Sequence, residues 1–392
     1  MRMLIVGAGI AGPALAYWLH RAGHEVTLVE KAAQLRSGGY LIDFWGAGFE
    51  IADSMGIVPR LLDEGYVLAE ARDVDDEGRV RARVDPAHLA GFVGGRYVSI
   101  VRSALARALC ESLDGSVELI LGDTVEALAD RGDHVDVEFA HTAPRRFDLV
   151  FGADGLHSRV RELTFGAQQQ FEHELGIAVA AFDVRGYRPR DELTAVMHAA
   201  IGSQTVRVAL RDDVTLFLLT FRHEGALPED SGAQQALVRA AMAHSGGETP
   251  RILEQLPQAE TLYLDRASQI RMPSWSRGRV ALVGDAAASP SLLAGQGAAL
   301  AMVEAYTLAV ELMRSAGEHT AAFAATQRRL MPMIVAKQNG ARGLGTAFAP
   351  RTRGKLRLRN TLFRLMGIRP VADLVMGRSL RDPIEVPPWP GT

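Results

Sequence analysis

The chain has 392 residues, of which 48% are hydrophobic, so it is long enough for about two domains with sizeable cores. Its net charge of −3 excludes a global basic field, and we expect no nucleic-acid partner. Cys110 is the only cysteine, which excludes an intramolecular disulfide and a cysteine-rich metal site, and no metal is expected. No apolar run reaches the ~18 residues of a membrane helix, so we expect a cytoplasmic protein without a membrane partner.

A glycine-rich turn, GAGIAG, lies between a predicted strand at residues 3–6 and a predicted amphipathic helix at residues 10–21. In such a turn Gly7 allows the sharp change of direction, and Gly9 lets the backbone approach a pyrophosphate. Gly12 lets the helix pack closely on the strand. The N-terminus of the helix offers free N–H groups to phosphates. The turn therefore predicts a dinucleotide site.

An acidic residue follows the second predicted strand, which covers residues 25–29. Glu30 stands at the distance from the turn where a carboxylate accepts hydrogen bonds from ribose hydroxyls. Its negative charge would repel a 2′-phosphate. The site therefore suits FAD or NAD better than NADP.

The chain continues with a charged hairpin at residues 73–85, which we interpret as solvated, and a strand-to-helix junction at Arg102. Alternating apolar residues then predict antiparallel strands at residues 117–121, 124–128 and 135–139. A buried strand at residues 148–151 leads into a second motif, Gly-Ala-Asp-Gly, which contains Asp154.

From about residue 176 the pattern becomes β-rich, with strands predicted at residues 177–184, 205–210 and 214–222. Both faces of the last strand are apolar, so both should be covered. One face carries Thr215, Phe217, Leu219 and Phe221, and the other carries Val214, Leu216 and Leu218. We expect one face to line a substrate pocket. Phe217 and Phe221 are favoured because two aromatic rings suit a flat apolar ligand, with core packing as the alternative.

A third motif, Gly284-Asp285-Ala286-Ala287, follows a predicted strand at residues 279–283. A glycine-containing loop and a long helix at about residues 298–315 come next, which is again a phosphate-type or flavin-type arrangement. Residues 323–337 continue as helix. The basic residues between 351 and 364 predict a solvated helix face, and contact with an anionic membrane surface is the less favoured alternative.

The order and spacing of these three motifs resemble the single-component FAD-dependent aromatic hydroxylases, the p-hydroxybenzoate hydroxylase-like group that includes tetracycline-inactivating monooxygenases. The resemblance spans nearly the whole chain and implies an α/β fold. The implied fold has a Rossmann-type FAD-binding domain, an inserted β-rich substrate domain and C-terminal helices. The expected domains are FAD-binding at 1–175 and 265–345, with small strand excursions near 70–97, substrate-binding at 176–264 and a helical segment at 346–392.

The resemblance also implies a set of cofactor contacts. Arg36 and Arg102 would lie near the phosphates and ribityl chain, and Asp154 would serve FAD and transient NAD(P)H docking. Asp285 would contact the ribityl or pyrophosphate region, and the backbone of residues 295–297 would face the flavin ring. The expected cofactor-binding residues are Gly7, Gly9, Ile10, Ala11, Gly12, Glu30, Lys31, Arg36, Gly39, Arg102, Asp154, Gly284, Asp285, Gly295, Gln296, Gly297 and Ala298.

The implied reaction is hydroxylation of a small aromatic or polyketide-like substrate. NADPH or NADH would reduce FAD, O₂ would add at flavin C4a, and the resulting hydroperoxide would transfer one oxygen atom, without a separate reductase. No catalytic base is assigned. The family usually has His, Pro and Asn where this chain has Ala288, Ser291 and Ala299. The alternatives are therefore an FAD oxidase, reductase or cyclase without oxygen insertion and, less favoured, a non-catalytic nucleotide-binding protein.

Overall fold

The computed structural model describes residues 1–35, 38–86, 95–368, 371 and 385–390. Its strands are β1 Arg2–Val6, β2 Glu25–Glu30, β3 Leu41–Trp45, β4 Glu70–Val74, β5 Val80–Val84, β6 Tyr97–Val101, β7 Glu118–Leu121, β8 Val125–Asp130, β9 Val135–Phe139, β10 Arg145–Phe147, β11 Leu149–Gly152, β12 Glu172–Arg185, β13 Thr194–Ala200, β14 Ser203–Ala209, β15 Val214–Arg222, β16 Tyr263–Ile270, β17 Ser276–Arg277 and β18 Val280–Leu282. Its α-helices are α1 Ala11–Arg21, α2 Ala47–Ser54, α3 Val58–Glu64, α4 Arg102–Glu111, α5 Arg159–Phe165, α6 Ser231–Met242, α7 Thr249–Leu253, α8 Asp285–Ala288, α9 Gly297–Arg314, α10 His319–Phe348 and α11 Arg353–Met366.

The first large sheet has the strand order β17-β18-β11-β1-β2-β7. All of its neighbouring pairs are parallel except β17 with β18. Met3, Leu4 and Ile5 of β1 are all fully buried, as expected for a strand covered on both faces. The carboxyl ends of β1, β11 and β18 lie side by side, so the three sequence motifs meet at one edge of this sheet.

The second large sheet has the order β16-β12-β15-β14-β13-β4-β5. It draws its strands from three separate parts of the chain, because β4 pairs in parallel with β13 and β16 pairs antiparallel with β12. The strands β13 and β16 carried no clear sequence signal. Their pairing with distant strands determines them more than their own composition does. The domain boundaries given above stay a prediction.

The hairpin of β4 and β5 is confirmed, but it is not simply solvated. Asp73 of β4 is buried and pairs with Arg359 of α11, which also donates a 2.9 Å hydrogen bond to Gln204 of β14. One residue of the basic C-terminal stretch therefore anchors α11 on the β-rich sheet. Within the described ranges, no helix has both the length and the apolar composition needed to cross a bilayer.

Candidate active site

The glycine turn before α1 is shaped by close packing at two of its three glycines. Gly7 has a φ of +105°, and a Cβ there would lie 2.6 Å from the carbonyl oxygen of Ala153. A Cβ at Gly12 would lie 1.9 Å from the carbonyl oxygen of Gly7. At Gly9, by contrast, the nearest heavy atom would be a guanidinium nitrogen of Arg102 at 3.9 Å. The open side of Gly9 fits a ligand that approaches the backbone, as a pyrophosphate does.

Glu30 ends β2 beside this turn. One carboxylate oxygen accepts the N–H of Ala8 at 2.8 Å, and the other accepts the N–H of Ala32 at 3.0 Å. These bonds fix the carboxylate on the turn. A carboxylate has about four acceptor positions, so capacity remains for ribose hydroxyls.

Arg102 is the first residue of α4, and its N–H donates to the carbonyl of Tyr40 at 3.0 Å. Its charge acts on the hydroxyl of Tyr40, whose ring lies 5.3 Å from that of Tyr263. Burial raises the pKa of Tyr40 to about 12, and Asp285 and Asp265 also raise it while Arg102 lowers it. Burial also raises the pKa of Tyr263, so both tyrosines remain protonated at neutral pH.

Asp285 follows β18 as the first residue of α8 and is partly exposed. Its carboxylate makes no side-chain hydrogen bond within the described part of the chain, and its Oδ1 would lie 3.9 Å from a Cβ at Gly297. Gly297 begins α9, which has 18 residues and no side-chain cap. A carboxylate and the positive end of a long helix are thus available to a ligand at the same place.

Asp154, in the second motif, has both carboxylate oxygens occupied. They accept the hydroxyl of Ser158 at 2.5 Å and the N–H of Val160 at 3.0 Å, at the N-terminus of α5. Burial raises the pKa of Asp154, and these bonds oppose the shift. A Cβ at Gly7 would also lie 2.8 Å from the Cα of Asp154, so the motif supports the glycine turn. Its contact with FAD or NAD(P)H stays a prediction.

The other predicted cofactor residues lie around the same edge of the sheet. Ile10 and Ala11 begin α1, Gly39 precedes Tyr40, and Gly284 precedes Asp285. Gly295, Gln296 and Ala298 lie before and within the first turn of α9, and the side chain of Gln296 accepts a hydrogen bond from Lys337. Lys31 is exposed, and Arg36 lies outside the described residues.

Arg161 was missed as a site residue, although it follows the second motif. It is 0% exposed and donates hydrogen bonds to the carbonyls of Leu156 at 2.7 Å and Ala286 at 3.0 Å, and to the side chain of Gln168. It therefore connects the second motif to α8. An arginine three residues after a helix-capping serine looks in sequence like an ordinary surface residue.

Phe217 and Phe221 are not at the site, which corrects our preference for their face of β15. Both are buried in a cluster with Val238 and Met242 of α6. The ring of Phe217 lies 5.0 Å from that of Phe182. Two aromatic residues on one face of a strand fit a flat ligand and a helix-covered core equally well. In this protein both rings lie in the helix-covered core.

The opposite face of β15 points toward the segment before Gly295 and toward β3. Leu218 packs against a cluster that contains Leu293, in the loop before Gly295, and Leu216 packs with Leu41 of β3. The face that we gave as the alternative is therefore the one near the predicted cofactor loop.

A parallel sheet with this turn, a carboxylate after its second strand and an open helix N-terminus defines a dinucleotide-binding protein with a second, β-rich layer. The FAD binding domain family matches residues 1–325. A flavin-dependent monooxygenase of an unknown prokaryotic organism is 34% identical over 341 residues, 86% of this chain and 87% of that protein. A flavin-dependent monooxygenase of Legionella longbeachae is 32% identical, with the same coverage.

Among solved structures, the tetracycline destructase Tet(51) is 30% identical with a TM-score of 0.83, and 99% of both chains is covered. Klebsiella pneumoniae HpxO, complexed with FAD and uric acid, shares the fold at 22% identity, a TM-score of 0.81 and 98% coverage of both chains. This chain belongs to the FAD-dependent monooxygenases that carry this FAD binding domain. The predicted family, fold class and FAD monooxygenase activity are confirmed.

Proposed function

We propose that this monooxygenase hydroxylates a flat, polyketide-like aromatic compound of the tetracycline type, with electrons from NADPH or NADH and without a separate reductase. The observation that carries the proposal is a row of apolar residues that crosses the β-rich sheet and starts at the predicted cofactor site. The relatives support the oxygenation chemistry, and the row supports a broad, flat substrate.

The row runs across five strands on the face that carries Leu218 and packs against Leu293. Tyr263 pairs with Ala181, Ala181 with Leu218, Leu218 with Val206, and Val206 with Met197. Residues that pair directly across a sheet point to the same face. Leu218, Val206 and Met197 are half-buried, so they present apolar surface that the protein does not cover completely. A surface that extends over several strands suits a fused-ring ligand better than a single small ring.

The proposed FAD contacts follow from the geometry of the first sheet. The N–H groups at the start of α1 would bind the pyrophosphate, Glu30 the ribose, and Arg102 and Asp285 the phosphate and ribityl region. The N–H groups at the start of α9 would stabilise negative charge on the flavin ring. Bound FAD would supply the activation of molecular oxygen, using electrons from NAD(P)H.

The chain itself would keep water away from the reacting region. Leu218 and Leu292 both pack against the cluster of Leu293 and Val179, which brings the β-rich sheet close to the loop before α9. An apolar, closed environment protects a reactive oxygen species from water and stray protons. The tyrosine pair at the end of the row retains its protons and would offer hydrogen bonds at the edge of this region.

Tetracycline is the compound to test first, because Tet(51) and Tet(55) are tetracycline destructases at 30% identity over nearly the full chain. The FAD-loaded protein should oxidise NADPH slowly alone and markedly faster with tetracycline. Under ¹⁸O₂ the product should gain one labelled oxygen atom. A rate of NADPH oxidation that tetracycline does not change would reject the proposal for this substrate. A product without label would reject it as well.

A pair of adjacent residues tests where the substrate binds. Met197 lies on the row, whereas Val196 precedes it on the opposite face of β13. Met197→Trp should fill the proposed pocket and raise the KM for tetracycline about tenfold or more, while FAD content stays normal. Val196→Trp should leave the KM close to that of the wild type. Equal effects of the two changes would show that the row is not the binding surface.

A further inference from the structure

Glu304 is a buried acid on α9 that no prediction from the sequence included. It is 4% exposed, and its Oε2 accepts the N–H of Gly284 at 2.7 Å. Gly284 directly precedes Asp285, the carboxylate proposed above as an FAD contact. Glu304 therefore bonds to the backbone of a cofactor-binding turn from a position two turns inside α9, whose first residue, Gly297, is also at the site.

The turn at Gly284, which is hydrogen-bonded to Glu304, packs closely against the start of α1, a third segment of the predicted cofactor site. Gly284 has a φ of +65°, and a Cβ there would lie 2.9 Å from the Cβ of Ala11 at the start of α1. The hydrogen bond from Gly284 to Glu304 thus connects α9 and the turn at the point where the turn touches α1. Loss of this bond would leave the buried N–H of Gly284 without a partner, and the turn would no longer be hydrogen-bonded to α9.

The surroundings of the carboxyl group are mostly apolar. Glu304 lines a small pocket together with Trp275, Leu282, Phe323 and Thr326. The indole N–H of Trp275 is buried and has no hydrogen-bond partner among the described residues. None of the other described residues that line this pocket carries a charge, and the charged group that acts on Glu304 is Asp285, next to Gly284.

Burial raises the pKa of Glu304 to about 8, and the negative charge of Asp285 raises it further, while the N–H of Gly284 opposes the shift. At neutral pH the group is therefore largely protonated. A neutral carboxyl group still accepts the N–H of Gly284, but it adds no second negative charge behind Asp285. Phosphates bound at the same turn would favour this neutral form still more.

We propose that Glu304 is a positioning residue for FAD, which holds the Gly284–Asp285 turn in its binding conformation as a neutral hydrogen-bond acceptor. It does not touch the cofactor. It acts through Gly284, and its effect should appear in the affinity for FAD even when no substrate is turned over.

The experiment is an FAD titration of the apoprotein, followed by protein fluorescence, with two substitutions at this position. Glu304→Gln keeps a neutral acceptor of nearly the same shape and should retain FAD affinity within about threefold at pH 7. Glu304→Ala removes the acceptor and should weaken FAD binding at least tenfold. An unchanged FAD affinity in Glu304→Ala would overturn the proposal.

Glu311 provides a matched control on the same helix. It is also buried, but it forms ion pairs with Arg314 and Arg329 away from the FAD turn. Glu311→Gln should lower the stability of the apoprotein and leave FAD affinity unchanged. If Glu311→Gln weakened FAD binding as much as Glu304→Ala, general loss of helix stability would explain both effects.

A pH series decides the case even if Glu304→Ala does not fold. FAD binding should weaken in the wild type as the pH rises from 7 to 9.5, because ionised Glu304 adds negative charge near the phosphates. Glu304→Gln should show no corresponding loss. Identical pH profiles in the two proteins would overturn the proposal.

Stability should change with pH in the same sense. The pKa of Glu304 is higher in the folded protein than the ordinary glutamate value of 4.5, so the folded state binds the proton more tightly. The wild type should therefore lose stability relative to Glu304→Gln as the pH rises from about 4.5 to about 8, with no further change above that range. A constant difference over this range would show that Glu304 is ionised in the folded protein and would also overturn the proposal.

Discussion

Two parallel strands of the first sheet, β11 and β18, are neighbours, and each leads into a motif with a glycine and an aspartate. After β11, one carboxylate oxygen of Asp154 accepts the hydroxyl of the capping residue Ser158, and the other accepts the N–H of Val160 in α5. After β18, Asp285 makes no side-chain hydrogen bond in the described ranges and stays partly exposed beside the start of α9. The same residue type at equivalent strand ends therefore has its carboxylate bonded to protein groups in one case and available to a ligand in the other.

The difference arises from the position of each aspartate relative to the next helix. Four residues after Asp154, Ser158 caps a seven-residue helix, and the carboxylate lies within reach of its free N–H groups. Asp285 is already inside the four-residue α8, with Gly284 at the capping position. An acid before a helix finds partners in the backbone, whereas an acid in the first turn of a very short helix points outward. The comparison shows that the spacing to the next helix determines the role.

The largest effect is expected at Arg161, which contacts both motifs. Arg161→Leu removes three side-chain hydrogen bonds and leaves the buried carbonyl of Ala286 and the partly buried carbonyl of Leu156 without this donor. We expect the free energy of unfolding of the apoprotein to fall by about 3–5 kcal/mol, measured by urea denaturation, with FAD binding weakened as well.

The control for this change is Arg159, which lies on the same helix with an exposed ion pair to Glu162. Arg159→Leu should change the stability by less than about 1 kcal/mol. A similar loss in both variants would mean that Arg161 does not connect the two motifs in the way the hydrogen bonds indicate.

The next effect separates the two aspartates directly. Asp285→Ala should weaken FAD binding about 10- to 100-fold, equivalent to about 1.4–2.8 kcal/mol for lost charge-assisted hydrogen bonds. The melting temperature of the apoprotein should not change, since Asp285 has no partner in the described protein to lose. If FAD stays bound and only the melting temperature falls, Asp285 is a structural residue like Asp154.

Asp154→Ala should give the opposite pattern. It removes two hydrogen bonds at the start of α5, and we expect the free energy of unfolding to fall by about 1–2 kcal/mol. FAD affinity, measured where the variant is fully folded, should stay within a few-fold of the wild type. A selective loss of FAD affinity with normal stability would establish Asp154 as a cofactor contact, as the family resemblance implies.

The parts of the site that could be predicted lie close together along the chain. The GAGIAG turn, Glu30 and Asp285 each come after a short apolar strand, and strand-turn-helix patterns of this kind are local. The ranges of α1, β9 and β15 agree with the predictions to within one residue for the same reason. Local patterns therefore placed Asp285 at a strand end, where its carboxylate is partly exposed, and its role as a cofactor contact stays a prediction.

The parts that could not be predicted depend on contacts between distant segments. Met197 pairs with Asp73 from a distant part of the chain, and Glu304 bonds to Gly284, which lies 20 residues earlier in the chain. The choice between the two faces of β15 failed because both faces are apolar, so alternation alone does not say which layer lies on which side. Three-dimensional packing, not composition, places Phe217 under α6 and Leu218 beside Leu293.

The smallest effect is expected at Ser158, and it measures how closely the capping of α5 is coupled to Asp154. Its hydroxyl donates to Asp154, and its oxygen accepts the N–H of Arg161 at 3.0 Å. Ser158→Ala should cost about 1 kcal/mol of unfolding free energy, typical of a lost N-terminal cap. Because the two side chains share one hydrogen bond, the double variant with Asp154→Ala should lose less than the sum of the single variants, by about 0.5–1 kcal/mol. Strict additivity in this cycle would mean that Asp154 does not depend on Ser158 for its orientation. The inward turn of the carboxylate, on which the contrast with Asp285 rests, would then be set by the N–H of Val160 alone.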